Sequence, residues 1–196
     1  TWPDLTIAAT RMRPDAASVV IAGHTITLAA YGGDAPAQAA RAAMMGATHI
    51  LVSVPPDLEG DAVLRDFGAA MEALPDLKWI GYLSTIGVYG DRQGAWIDET
   101  APVNPGSERS MRRVKAERQW QSFAAATGRR VEIFRLAGIY GPGRSVVDNL
   151  RGGTARRIVK PDQVFNRIHV DDIAEILAAA VLDATPESGR HQIYNV

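Results

Sequence analysis

Apolar positions along this chain fall into short runs with both parities filled, alternating with segments where they recur every three or four residues. The first pattern is that of a strand buried on two faces of a parallel sheet; the second is that of a helix lying on it. Strands are predicted at Leu5 to Thr10, Thr25 to Ala30 and Thr48 to Val54, the last halted by Pro55-Pro56. Helices are predicted from Asp15 to Ala22, from Ala35 to Met45 with Gly46 as terminator, and from Gly60 to Leu74. In the last of these, Val63, Leu64, Phe67, Ala70, Met71 and Leu74 form one apolar face.

The chain is organised around Lys78 to Asp91, KWIGYLSTIGVYGD. Trp79, Ile80, Tyr82 and Leu83 make a doubly buried strand that stops on Ser84 and Thr85, after which Gly87 and Gly90 bracket Val88-Tyr89. In an open α/β sheet ligands sit outside the carboxyl ends of the strands, so these hydroxyls are either site groups or caps of a turn. A loop from Gly90 to Gly106 leads into a long helix from Ser107 to Thr127, closed by Gly128. Val131 to Tyr140 reads as the next strand, broken by Gly141-Pro142-Gly143; Ser145 to Leu150 reads as helical and Val164 to His169 as extended. Asp171 or Asp172 is placed to cap a helix from Ile173 to Leu182, and Gln192 to Asn195 is a last strand. Strands alternating with helices predict right-handed βαβ units and a doubly wound, mainly parallel α/β sheet.

With 196 residues, 46% hydrophobic and 22% charged, the chain has enough material for one sizeable core. A formal net charge of -1 supplies no field for nucleic acid or an anionic membrane, and Arg112-Arg113 and Arg156-Arg157 are too short to reverse that. Cysteine is absent, which excludes disulfides and thiolate chemistry and points towards a cytoplasmic location. The most apolar segment, Ile173 to Leu182, is interrupted by Glu175 and falls short of the roughly 20 residues of a membrane span. The four histidines have no metal-binding spacing, so no metal is expected.

Three spaced segments carry a resemblance: S-T-x-x-V-Y-G from Ser84, R-L-A-G-I-Y-G-P-G from Arg135 to Gly143, and R-I-H-V-D-D-I-A from Arg167 to Ala174. In that order they resemble the extended short-chain dehydrogenase/reductases, specifically the NAD-dependent epimerase/dehydratase group with its Rossmann-like fold. The resemblance implies a nucleotide-binding core over residues 1–143 and a small substrate-side region over 144–196, whose last strand rejoins the core sheet. It makes Thr85 the hydroxyl that hydrogen-bonds a substrate oxygen. The family's Tyr-x-x-x-Lys aligns with Met111 to Lys115, so the lysine is retained and the tyrosine is not. The resemblance thus makes Thr85 and Lys115 the candidate catalytic residues, with Lys115 also a cofactor ribose contact; the alternative for Lys115 is a solvated helix lysine.

Residues i and i+4 share a helix face, so Met111 and Lys115 are expected to point together into the crevice. A thioether has no proton to give, and losing a positioned acid or base costs about 10²- to 10⁴-fold in rate. Tyr89, Tyr140 or a water is the available substitute. Ile86-Gly87 stand where dehydratases carry an acid pair, which argues against water elimination. Phe165 stands where nucleotide-sugar branches carry an arginine, and Arg167, two residues on and on the same strand face, is placed to reach a phosphate. Tyr89 and Arg167 are thus the candidate substrate contacts. His169 and Asp171-Asp172 are read as a hydrogen-bonded core histidine and a helix cap.

The resemblance further implies cofactor contacts from Ser53, Val54, Ser84, Leu136, Ala137 and Gly138. An arginine at the end of the adenine-side strand pairs with a 2'-phosphate, and Arg11 with no acid before Asp15 favours NADP, with NAD as the alternative. The family opens with a strand and a G-x-x-G-x-x-G turn that are not seen here. About 20 to 30 residues are therefore expected before Thr1, the size of a strand, turn and helix, and more after Val196. The expected function is an atypical oxidoreductase or epimerase acting on a small hydroxylated, carbonyl or sugar-nucleotide-like molecule. The competing expectation is a non-catalytic cofactor-binding sensor or scaffold. Pairing into homodimers through the Ser107 to Thr127 helix is also implied.

Overall fold

The computed structural model describes residues 5–32, 37–156, 159, 164–182 and 191–196. They form two compact units, one from residues 1–48 and 66–77, the other from 49–65 and 78–196. Residues 144–196, expected as a small substrate-side region whose last strand rejoins the core sheet, fall within the second unit.

In the first unit β1 (Ile7–Arg11) runs parallel to β3 (His24–Ala30), and β2 (Ser18–Ile21) pairs antiparallel with β3. The helix expected from Asp15 to Ala22 is thus a strand. The run Ser18-Val19-Val20-Ile21 is rich in β-branched residues, which fit a pleated surface better than a helix. Ala22 and Gly23 both have positive φ, 50° and 82°, the signature of the tight turn that joins two hairpin strands. Helix α1 (Gln38–Met44) follows; its expected start at Ala35 lies outside the described residues.

The second unit is built on four parallel strands in the order β4 (His49–Val52), β5 (Trp79–Thr85), β6 (Val131–Leu136), β9 (His191–Asn195). Every residue of β6 is buried, as a strand covered on both faces requires. One face of the sheet packs on α3 (Glu108–Thr127) through Trp120 and Tyr82, whose rings lie 5.8 Å apart. On the other face Trp79, Phe134 and Leu136 pack with Ile173 and Leu177 of α5 (Val170–Leu182). Helices on both faces of a mainly parallel sheet make the doubly wound α/β class that the hydrophobic pattern predicts.

Two boundaries differ from expectation. The strand Val131 to Tyr140 splits at Ala137, whose N–H bonds the Val196 carbonyl at 2.6 Å; beyond it β7 (Gly138–Tyr140) pairs with β8 (Arg167–His169). Between these two strands α4 (Val146–Arg151) is capped by Ser145, close to the helix expected there. Helix α5 starts at Val170, so Asp171 and Asp172 lie in its first turn, where carboxylates favour the helix dipole. The side-chain cap is His169, whose Nδ1 accepts from the Asp171 N–H at 3.3 Å. Helix α2 (Ala62–Ala73) begins where Asp61 Oδ1 accepts from the Leu64 N–H at 2.9 Å, an aspartate cap of the usual kind.

Candidate active site

Strand β5 delivers two hydroxyls to its carboxyl end, and alternation separates them. Ser84 shares the parity of Tyr82 and lies under α3, buried, with its Oγ donating to the Glu117 carboxylate. It is not open to a cofactor, which corrects the expectation for this residue. Thr85 has the opposite parity and is half-buried; its Oγ1 accepts from the Gly87 N–H at 3.1 Å, capping a short 3-10 turn, Ile86–Tyr89. A hydroxyl that accepts there keeps its own hydrogen for another oxygen. A Cβ at Gly87 would sit 3.3 Å from Ser110 Oγ and 3.4 Å from Thr85 Oγ1, so glycine keeps a side chain off both hydroxyls. At Gly90, φ is +71° and a Cβ would stand 2.1 Å from the Asn104 carbonyl oxygen, so glycine is required to close the turn.

Behind this turn lies a buried polar network. Arg135 donates to Glu117 through Nε at 3.2 Å and Nη2 at 2.8 Å, and to the Tyr89 hydroxyl through Nη1 at 2.7 Å. Tyr89 donates in turn to Asn195 Oδ1 at 2.7 Å, and the Asn195 N–H bonds Glu99 at 2.7 Å. Burial works against the Arg135 charge, but Glu117 and Tyr89 outweigh it and hold its pKa above the ordinary value. Tyr89 is only 1% exposed, so the expectation that it meets substrate or replaces the missing phenol is corrected. Its hydroxyl faces the core because Val88 and Tyr89 fold under the turn onto Val114.

The phase of α3 decides which of its side chains face β5. Val114, Glu117, Trp120 and Ala124 are buried against the sheet. On the same side Arg113 donates through Nη1 to the Tyr82 hydroxyl at 2.9 Å and the Leu83 carbonyl at 3.0 Å, with its guanidinium 5.5 Å from the Tyr82 ring. Burial raises the Tyr82 pKa, and Arg113 opposes that rise.

At 3.6 residues per turn each step rotates about 100°, which sets Met111 and Lys115 on the adjoining face. There they line a hollow of about 800 Å³ with Asp61, Leu64, Gln119 and Phe123, and Lys115 Nζ donates to the Leu58 carbonyl at 3.1 Å. Met111 and Lys115 therefore do share a face, but the hollow they line does not include Thr85. Arg113 and Glu117 are the α3 side chains that hydrogen-bond the Thr85 strand, and Ser110 lies beside Gly87 in the turn that follows it; motif spacing singled out none of the three. Asp61, in the same hollow, has its pKa raised by burial against the lowering pull of the helix amides it caps.

The remaining expected residues are spread more widely. In the first unit Arg11 ends β1 and pairs with Asp15 at 3.2 Å, both exposed. In the second, Ser53 is exposed and Val54 half-buried just beyond β4. Leu136 is buried, and the amides of Ala137 and Gly138 bond the carbonyls of Val196 and Asn166, where the chain changes strand partner. Arg167 is exposed, 5.3 Å over the Phe165 ring and beside Gly138, where a Cβ would lie 2.6 Å from its Nη1. Tyr140 is 42% exposed and meets His169 edge-on at 5.0 Å. Among the described residues no cluster of three His, Cys, Asp or Glu is placed to hold a metal, and no helix is long and apolar enough to cross a membrane.

Comparison with known proteins bears on this arrangement. The model of the NAD dependent epimerase/dehydratase family matches residues 68–196, well over half of the chain and all three motif segments. The chain belongs to that family. Protein YeeZ of Escherichia coli (strain K12) is 36% identical over 117 residues, which are 59% of this chain and 38% of YeeZ. A solved structure of a functionally unknown conserved protein from Silicibacter pomeroyi is 46% identical with a TM-score of 0.73, covering 87% of this chain and 56% of that one. MoeE5, solved with UDP-glucuronic acid and NAD, shares 17% identity and the fold, with a TM-score of 0.71 over 97% of this chain and 68% of its own. This epimerase/dehydratase-family chain thus spans well under two thirds of YeeZ and of the Silicibacter protein.

A signal was present for one of the residues missed. Arg135 is a charge inside a strand that buries every residue, and a buried charge requires a partner; Glu117, between exposed Lys115 and Arg118, is set apart only by the packing of α3. Arg113 has no such mark, because only the packing of α3 distinguishes it from Arg112.

Proposed function

We propose that the protein is a nicotinamide-dependent oxidoreductase or epimerase whose substrate is a small hydroxylated or carbonyl compound of the sugar-nucleotide kind. The observation that supports this best is Thr85: a half-buried hydroxyl at the carboxyl end of a parallel strand, with its oxygen taken by the Gly87 N–H and its hydrogen directed elsewhere. Such a group stabilises negative charge building on a substrate oxygen. Ser110 is the neighbouring hydroxyl, and Arg113 is the α3 cation that faces the Thr85 strand.

A bound nicotinamide would supply the hydride acceptor and donor. Exposed Ser53 and half-buried Val54, at the end of the strand next to β5, fit its ribose and amide, whereas the Ser84 hydroxyl and the amides of Ala137 and Gly138 do not. MoeE5 carries NAD and a UDP-sugar on this fold, which supports the substrate class. Arg167, exposed on the β8 surface, is the candidate phosphate contact.

The test uses the full-length protein with NAD or NADP and a panel of sugar nucleotides, following nicotinamide absorbance and, because epimerases return their hydride, product identity by NMR. Turnover is expected, and Thr85→Ala should lower kcat about 10²- to 10³-fold while Thr85→Ser retains most of it. Cofactor binding without turnover of any panel member, or a Thr85→Ala protein as fast as the parent, overturns the reading.

A further inference from the structure

We infer that the buried Glu117–Arg135 ion pair is the positioning device of this site, gripping the turn Ser84–Tyr89 at both ends and so fixing the direction of the Thr85 hydroxyl. This rests on the proposal that Thr85 meets the substrate, and it concerns residues that themselves touch neither substrate nor cofactor.

The geometry carries the inference. In the sheet ladder Arg135 lies directly between Ser84 of β5 and Asn195 of β9, so three polar residues form one row across three strands. Glu117 descends from α3 onto that row, with one carboxylate oxygen shared between Ser84 Oγ and Arg135 Nε and the other held by Nη2. The remaining arm of the guanidinium, Nη1, holds the Tyr89 hydroxyl, which also reaches Asn195. Ser84 precedes Thr85 and Tyr89 ends the turn that follows it. One ion pair therefore holds the residues on both sides of Thr85.

Stability alone is a poor account of this pair. Both side chains are 4% exposed, and buried ion pairs replaced by well-packed apolar residues are often as stable or more so. What an apolar replacement would not reproduce is the directional fork that ties α3, β6, β9 and the turn to one geometry. A displacement of about 1 Å at a reacting group costs on the order of 10²-fold in rate, which is the scale of benefit such a fork offers.

The experiment is a double-mutant cycle in the full-length protein between Tyr89→Phe, which removes only the hydroxyl held by Arg135, and Thr85→Ala. Tyr89→Phe is expected to lower kcat about 100-fold with KM little changed, and to have no further effect once Thr85 is alanine, because it acts through that hydroxyl. Hydrogen exchange at Ile86 to Gly90 should quicken about tenfold while β5 and β6 keep their protection. Arg135→Lys, which keeps the charge but loses the fork, should behave alike and replaces Tyr89→Phe if that variant does not fold.

Losses that multiply in the cycle, or turn exchange that stays at the parental rate, overturn the inference. If the parent turns over no panel member, the proposed function fails separately. Exchange then decides alone whether the pair holds the turn.

Discussion

Ser84 and Thr85 carry the same functional group on consecutive residues, and alternation along β5 sends the two hydroxyls to opposite faces. Their substitution should therefore separate stability from function. Ser84→Ala removes a bond to the buried Glu117 carboxylate, and bonds to charged groups contribute about 1.5–3 kcal/mol. That loss should appear in urea unfolding, whereas Thr85→Ala gives up one bond to a backbone amide, about 1 kcal/mol. Equal unfolding midpoints for the two variants would contradict the placement.

Asp61 makes a second residue-level prediction. Its pKa in the folded protein is raised, chiefly by burial, so the native state binds the proton more tightly than the unfolded chain does. The favourable contribution is then fully present below the unfolded value of about 3.9 and is lost as pH rises through the folded pKa. The unfolding free energy of Asp61→Asn minus that of the parent should move in favour of the variant between pH 3 and pH 7. A difference independent of pH would refute it.

At the scale of elements, the limits of α3 were legible and its rotation was not. Ser107 accepts from the Ser110 N–H at the start and Gly128 adopts φ +72° at the end, each a residue type that the local sequence marks as a boundary. Rotation depends on which stripe is buried, and here the stripe contains Glu117 and touches Arg113, so hydrophobic periodicity is too faint to orient it. Motif spacing chose Lys115; packing put Arg113 opposite Leu83. Similarly the hairpin strand β2 passed for a helix because its four residues are all exposed and so show no alternation.

The rotation is testable. Lys115→Met should leave kcat/KM within about twofold, since its ammonium donates to a loop carbonyl and such exposed contacts contribute little. Arg113→Met should lower kcat/KM about 10- to 100-fold, the effect of a lost charged hydrogen bond. It should also destabilise the fold by about 1–3 kcal/mol, because the Tyr82 hydroxyl stays buried without its donor. The opposite ranking would restore the motif alignment.

At the scale of the whole molecule, the parallel order of β4, β5, β6 and β9 follows from runs with both parities apolar, which is why the fold class could be read from the chain while ligand choice could not. A net charge of -1 supplies no long-range field that would favour the doubly charged 2'-phosphate, so on the proposed function discrimination between NADP and NAD would fall to local groups. Arg11 at the end of β1 is the candidate, and Asp15 four residues on partly neutralises it at 3.2 Å.

If Arg11 meets the 2'-phosphate, the two residues act in opposite directions on one equilibrium. Arg11→Ala should weaken NADPH binding about tenfold with NADH unchanged, as removal of a charge-assisted contact implies. Asp15→Asn frees the guanidinium from an exposed pairing of about 0.2–1 kcal/mol and should tighten NADPH by about two- to fivefold. Because both partners are exposed, that gain should shrink at high salt, where the Debye length falls to about 3 Å at 1 M. Fluorescence titration of the full-length protein with each dinucleotide reads both effects. If the two substitutions change NADPH and NADH affinity equally, the end of β1 does not distinguish the cofactors, and the arginine is a surface charge paired with its own neighbour.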